Sequence, residues 1–279
     1  MNRRDFVQSI TAAGVGVGTV AREALAAQKL DRIGLELYSI RHTMAADPDR
    51  TLAAVRAIGY TDVELLWSFG NFGRTAQQVR DALTREGLRA PSAHIPPESI
   101  LIGWERRLHT ARLLGHKYLI VPSFDTNTVQ TLDDWREWAD HFNHAGAVAR
   151  RMGVWLAFHN EAEHMKLIDG KIPYDVFVER TDPSVVRHQL DVGNMLIGGG
   201  DPMEYLARYR NRYHSFHLKD VVADRSRDTE LGKGIFDFKR FLAAVPGLAM
   251  KPSYVEDENA SDEMAAARAN YEYLHNLEF

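Results

Sequence analysis

The chain has no cysteine among its 279 residues. That excludes disulfides, thiolate metal centres and cysteine nucleophiles, so any metal must be held by His, Asp, Glu or amide oxygen. There is no dense run of Lys and Arg, and the formal net charge is −4, so nothing calls for nucleic acid as a partner. No apolar stretch reaches the ~20 residues that a membrane helix needs. No interior segment is long or polar enough to mark a domain boundary. Short-period repeats and low-complexity tracts are missing too.

What is present begins with a patterned N-terminus. Arg3-Arg4-Asp5-Phe6 precedes a weakly apolar Gly/Ala-rich stretch, Ile10 to Ala21, and then Ala24-Leu25-Ala26. A charged start, an apolar middle and small residues at a cut site are the layout of an export signal. The paired arginines resemble a twin-arginine signal. Residues 1–27 are therefore expected to be a signal directing the protein to the periplasm or otherwise out of the cytoplasm, with residues 28–279 forming one domain.

From Asp31 onward, short apolar runs alternate with longer amphipathic ones. Eight runs read as buried parallel strands: Ile33–Tyr38, Asp62–Leu66, Arg89–His94, Tyr118–Pro122, Val154–His159, Val186–Asp191, Tyr213–Leu218 and Ser253–Glu256. Helical stretches lie between them, several stopped by glycine at Gly87, Gly115 and Gly153. Eight β/α units in roughly 250 residues predict an α/β fold closed into a (β/α)8 TIM barrel. A doubly wound open sheet is the rival, but no Gly-rich phosphate turn follows Tyr38. Val221–Ile235, the longest irregular connection after a strand, is expected to form part of an active-site mouth.

Polar residues collect where those strands end, which is where a barrel of this kind builds its site. Strand three ends in Ser92-Ala93-His94, strand five in His159-Asn160-Glu161, and strand six in Asp191-Val192-Gly193-Asn194. Strand seven ends in His217-Leu218-Lys219-Asp220 and strand eight in Glu256-Asp257-Glu258. A carboxylate or imidazole at the end of an apolar strand is costly without a partner. Several converging on one axis make a mixed set suited to Mn, Mg, Zn or Co. Period-two alternation gives Glu161, Asp191, His217 and Glu256 as the simplest ligand quartet.

At these motifs the sequence resembles the xylose isomerase-like barrel superfamily, often called sugar phosphate isomerases/epimerases. The carrying segments are His159-Asn160, Leu190–Asn194, Phe216–Asp220, Gly232-Lys233-Gly234 with Asp237-Phe238, and Tyr254-Val255-Glu256. The resemblance implies one divalent metal held by carboxylates from strands five, six and eight and a histidine from strand seven. Asp191, His217 and Glu256 match directly. Strand five departs from the pattern: the expected glutamate position is Ala157. Glu161 takes its place as the expected fourth ligand, with Glu163 and His159 as competitors.

The resemblance also implies an enzyme acting on a sugar or keto-sugar. The first expectation is an isomerase or epimerase that moves a proton through a metal-stabilised enediolate. Glu161, Glu256, His94 and His159 are the candidates for the proton transfers. Tyr38, Trp67 and Lys219 are expected to contact substrate, although Lys219 could instead pair with Asp220; Trp67, Phe69 and Phe72, after strand two, could form an apolar wall for a sugar ring. Glu64, at the end of strand two, is expected to pair with a basic neighbour rather than touch substrate. The alternative outcome is loss of a β-leaving group, which makes a lyase, dehydratase or hydrolase acting on 3-keto-glycosides or related keto-sugars; the altered strand five favours it. An endonuclease-like phosphodiesterase and a non-catalytic sugar-binding barrel rank lower. A homo-oligomer is compatible with the sequence.

Overall fold

A computed structural model describes residues 28–279. The export-signal reading concerns residues 1–27 and lies outside the described residues. The eight barrel strands are β1 (Gly34–Glu36), β2 (Asp62–Leu66), β3 (Arg89–His94), β4 (Tyr118–Val121), β5 (Trp155–His159), β6 (Val186–Asp191), β7 (Tyr213–Leu218) and β8 (Ser253–Val255). All pair in parallel in chain order, and β8 returns to β1 through Gly34↔Tyr254 and Leu35↔Val255 to close the barrel. The expected (β/α)8 barrel is thus what the chain forms. The closing seam needs a glycine: a Cβ on Gly34 would lie 2.4 Å from the Tyr254 ring.

Alternation along each strand separates two environments. On β5, Leu156 and Phe158 join the large core between strands and helices, whereas Ala157 joins a small separate cluster with Tyr118 and Ile120. That small cluster is the apolar part of the barrel interior. The rest of the interior is polar. Strand register sets Glu36 beside Glu64, Glu64 beside Ser92, and Asp191 beside His217.

Helix ends follow local chemistry. Thr75 and Gln78 form a reciprocal capping box at Ala76–Glu86, as Thr131 and Asp134 do at Leu132–Arg151. Caps of this kind contribute about 1 kcal/mol each. No helix among the described residues is long and apolar enough to cross a membrane.

Two stretches differ from the sequence expectation. Strand one stops at Glu36 because Leu37–Ile40 turns into a 3-10 helix. The Val221–Ile235 segment is not irregular throughout: Asp220–Val221 pairs antiparallel with Asp228–Thr229. The Asp220 carboxylate fastens the rest of the loop, accepting the backbone N–H groups of Gly232 (2.9 Å), Gly234 (3.0 Å) and Phe236 (3.1 Å). Gly234 is required there, because a Cβ would lie 2.2 Å from Asp220 Oδ1. This segment does not line the cavity at the barrel mouth. Arg225 and Phe236 instead border a separate surface cleft with the helix Pro202–Arg208.

Candidate metal centre and active site

Four side chains at the ends of four strands meet at the C-terminal end of the barrel. His159, Asp191, His217 and Glu256 each offer one ligand atom, and these atoms lie within 4.8 Å of one another. Asp191 is placed by its role as N-cap of the helix Val192–Ile197: its Oδ1 accepts the Asn194 N–H at 2.8 Å. Its Oδ2 remains buried without an aligned hydrogen-bond donor, and both ring nitrogens of His159 are buried without a hydrogen-bond partner. His217 Nδ1 is 2.6 Å from Glu256 Oε2 and 3.9 Å from Asp191 Oδ2. Buried polar atoms without partners are costly. A His159 imidazole without a hydrogen-bond partner, its Nε2 3.5 Å from Asp191 Oδ2 and grouped with His217 and Glu256, fits a divalent cation.

The electrostatics agree. Burial lowers the His159 imidazole to about 4, which keeps it a neutral potential ligand. Burial pushes the Asp191 carboxyl upward, but Lys219, His159 and His217 outweigh it and hold the group below its usual range. Burial would lower His217, yet the carboxylates of Glu256 and Glu64 hold it at about 10.

Lys219 is 1% exposed. Its Nζ lies 3.1 Å from Asp191 Oδ2, 3.1 Å from Glu256 Oε2 and 2.5 Å from Glu258 Oε1. It also donates to Asn194 Oδ1 at 3.1 Å. The expected pairing with Asp220 is not formed, since Asp220 turns to its loop. Expected to contact substrate, Lys219 instead neutralises carboxylates behind the cavity wall and does not line the cavity.

That cavity is about 370 Å³ and opens at the barrel mouth. His94, His159, Glu161, Glu256 and Glu258 line its polar side; Tyr38, Leu66, Phe69, Pro96, Pro97 and Pro122 line its apolar side. Tyr38 therefore lies where a substrate would touch it. Trp67 does not: its ring packs 5.6 Å from His116, and Phe69 takes the wall position. The Phe69 ring stands edge-on to Tyr38 at 5.7 Å.

Glu161 falls outside the four-residue group. Its Oε2 accepts from Asn194 Nδ2 at 2.7 Å, and its Oε1 is 3.7 Å from His159 Nδ1. Its side chain keeps 28% of its surface exposed. Burial in the mouth still raises its carboxyl well above the usual range, against the pull of Lys219. Where Glu161 was expected on strand five, His159 supplies the nearest ligand atoms. Glu163 is exposed.

In the layer beneath, sequence reasoning missed Glu36 and Gln189 and reached Glu64 only as an ion-pair candidate. Glu36 and Glu64 are fully buried inside the barrel. Glu64 Oε2 lies 2.5 Å from His217 Nε2, and Glu64 Oε1 accepts from Ser92 Oγ at 2.5 Å. Glu64 does pair with a basic neighbour, as expected, but that neighbour is a residue of the site. Burial raises Glu36 well above the usual carboxylate range, and the adjacent Glu64 and Glu256 add to this. Gln189 Nε2 lies 3.1 Å and 3.0 Å from the two Glu64 oxygens. Its Oε1 is 2.9 Å from His94 Nε2. The available signal was a charged or amide residue at an inward position of a short apolar strand. His116 and His188 are buried packing residues.

Comparison with known proteins agrees with the barrel fold. The family described as xylose isomerase-like TIM barrel matches residues 52–277. An inosose dehydratase from Geobacillus kaustophilus is 32% identical over 202 residues, 63% of this chain and 63% of that protein. Inosose dehydratase 2 from Bacillus cereus is 29% identical over 115 residues, 40% of this chain and 38% of that protein. The matches thus span less than two thirds of either relative's length. Two solved structures share the fold. A sugar phosphate isomerase/epimerase from Parabacteroides distasonis superposes with a TM-score of 0.76 at 23% identity, covering 90% of this chain and 95% of that one. A probable 3-DHS dehydratase from Bacillus anthracis does so with a TM-score of 0.70 at 11% identity, covering 88% and 99%. With its closed eight-stranded barrel and the family match over most of its length, the chain belongs to the xylose isomerase-like TIM barrel family.

Proposed function

We propose that the protein is a lyase that removes water from an uncharged cyclic polyhydroxy ketone, using one divalent metal held by His159, Asp191, His217 and Glu256. The reading departs from the first expectation of an isomerase or epimerase. The similarity to inosose dehydratases favours the dehydratase alternative.

The observation that carries the proposal is the make-up of the cavity. His94 from β3 and Glu161 from just beyond β5 face the same space as His159 and Glu256. An imidazole and a carboxyl on one cavity are the base and acid that a β-elimination needs. Among the described residues no Lys or Arg lines that cavity, so nothing there would pair with a phosphate or carboxylate on the substrate. Tyr38, Phe69 and the prolines offer flat apolar surface to a ring face.

A divalent ion bound at the four-residue group would polarise the substrate carbonyl as a Lewis acid, a contribution of several kcal/mol. The chain's own groups do the rest. His94 takes the proton from the carbon beside the carbonyl. The electron pair becomes a carbon–carbon double bond as the C–O bond one carbon further on breaks. Glu161 gives its proton to the departing hydroxyl, which leaves as water. Exchange with solvent then restores both groups.

The test is incubation of the metal-loaded protein with keto-inositols and 3-keto-glycosides, followed by mass spectrometry in deuterated water. Loss of water supports the proposal. Deuterium uptake at unchanged elemental composition would return the reading to isomerase or epimerase. Neither loss nor exchange with any substrate would sink it. Replacing His94 by Leu should slow elimination by roughly 100-fold or more, the usual worth of a positioned base.

We further propose that residues 1–27 direct export, on the strength of the Arg3-Arg4 start and the Ala24-Leu25-Ala26 end. Cell fractionation of the full chain against an Arg3→Lys/Arg4→Lys double variant tests it; equal retention of both in the cytoplasm would refute it.

A further inference from the structure

His217 stands between two groups of side chains, each with the make-up to hold a cation. On its Nδ1 side are Asp191 and Glu256, grouped with His159; on its Nε2 side are Glu36 and Glu64, grouped with His94. The two sides differ in access. His159 and Glu256 line the open cavity, whereas Glu36 and Glu64 have no exposed surface. An ion entering through the mouth meets the Nδ1 side first.

We infer that Glu64 is a positioning residue that holds the Nε2 protons of both His217 and His94, so that in the metal-loaded protein His217 turns an unprotonated Nδ1 to Asp191 and Glu256 and His94 turns one to the cavity. This rests on the proposed function for the roles of the two histidines, but the proton positions follow from hydrogen bonding alone.

A carboxylate only accepts. Glu64 must therefore take a proton from each of its neighbours: Ser92 Oγ, Gln189 Nε2 and His217 Nε2. The Gln189 atom facing both Glu64 oxygens is then the NH2, and its other NH2 contact, at 3.0 Å, is Ser215 Oγ. That leaves Gln189 Oε1 facing His94 Nε2 at 2.9 Å. A carbonyl oxygen accepts, so His94 Nε2 carries the hydrogen. Glu64 Oε2, 3.3 Å from the same nitrogen, favours the same proton position. In a neutral imidazole the second nitrogen is then bare. His94 Nδ1 has no protein partner among the described residues, and the ring lines the cavity. One buried carboxylate thus sets the tautomer of a metal ligand directly and of a base through one amide. Carboxylate–imidazole–metal chains of this kind fix ring orientation and raise ligand basicity.

The experiment uses the full chain, metal-free and loaded with cobalt(II) or zinc(II). Two-bond nitrogen–proton NMR reads the tautomer of each ring in the zinc form. The expected result is Nε2–H at both His217 and His94. Glu64→Gln should weaken cobalt binding by roughly 10–100-fold and change the visible cobalt spectrum. Gln189→Leu should alter the His94 tautomer and leave the cobalt spectrum as it is. An Nδ1–H tautomer at His94, or cobalt affinity and spectrum unchanged by Glu64→Gln, would overturn the inference. If the wild-type chain binds no metal, the proposed metal site fails instead, and the His94 tautomer in the metal-free protein still decides its half. The wild-type and Gln189→Leu measurements keep the test valid should Glu64→Gln not fold.

Discussion

Asn160 and Asp191 clamp each other across β5 and β6. Asn160 Nδ2 donates to the Asp191 carbonyl at 2.9 Å, and the Asp191 N–H donates back to Asn160 Oδ1 at 2.9 Å. Both residues are fully buried. The clamp fixes the backbone from which the Asp191 carboxylate reaches the metal group. Asn160→Ala leaves a buried N–H and a buried C=O without partners, each costing about 1–3 kcal/mol. The variant should unfold at lower urea and bind metal more weakly. Wild-type values for both would show that the clamp is idle.

Asp220 does for a loop what Asn160 does for a strand. Replacing it with Ala removes the acceptor for the N–H groups of Gly232, Gly234 and Phe236. Hydrogen bonds to a charged group contribute about 1.5–3 kcal/mol each. Part of that loss will be recovered by water at this half-buried loop. Hydrogen-exchange mass spectrometry should show faster exchange over residues 221–237, with the barrel strands protected as before. Uniform loss of protection would mean that the loop is integral to global stability instead.

In the metal-free protein His217 is held at about 10 by Glu256 and Glu64, against the effect of burial. A metal taking Nδ1 must displace a proton from it. Binding at neutral pH should therefore release close to one proton, and affinity should climb about tenfold per pH unit until pH approaches about 10. Calorimetry in buffers of different ionisation enthalpy reads the proton directly. The stability sign is the reverse. A raised imidazole stabilises the metal-free fold fully below its unfolded value of about 6.5, and this is lost as pH rises through about 10. No proton release at pH 7 would contradict both statements.

Lys219 is the only lysine or arginine in ion-pair contact with Asp191 or Glu256 among the described residues. Lys219→Met leaves those carboxylates buried against each other, and stripping one partner from a buried pair costs about 3–5 kcal/mol. The loss should be largest without metal and smaller with it, since a divalent cation supplies positive charge at the same carboxylates. Chemical denaturation with and without cobalt measures the difference; an equal loss in both states would argue that the lysine works by packing alone.

The strand pattern was legible because burial writes itself into composition. Asp62–Leu66, Arg89–His94, Val186–Asp191 and Tyr213–Leu218 coincide with their expected limits. Asp191, His217 and Glu256 could be singled out as carboxylates and imidazole at strand ends. Glu36 and Glu64 could not be placed in the same way. Each lies in an ordinary-looking short strand, and only register sets them side by side beneath His217. Trp67 and Phe69 are equivalent in sequence as aromatic wall residues. The turn after β2 decides which one meets the cavity.

By itself the order of residues determined that eight apolar runs would alternate with helical segments and that polar groups would gather at one end of them. Those outcomes depend on local spacing, hydrophobic burial and capping, which act within a few residues. Only closure of the barrel decided that His159 rather than Glu161 sits nearest Asp191, that Lys219 faces inward to three carboxylates, and that Glu64 reaches His217. Those distances join residues up to 153 positions apart, and no local preference encodes them until every strand is in register.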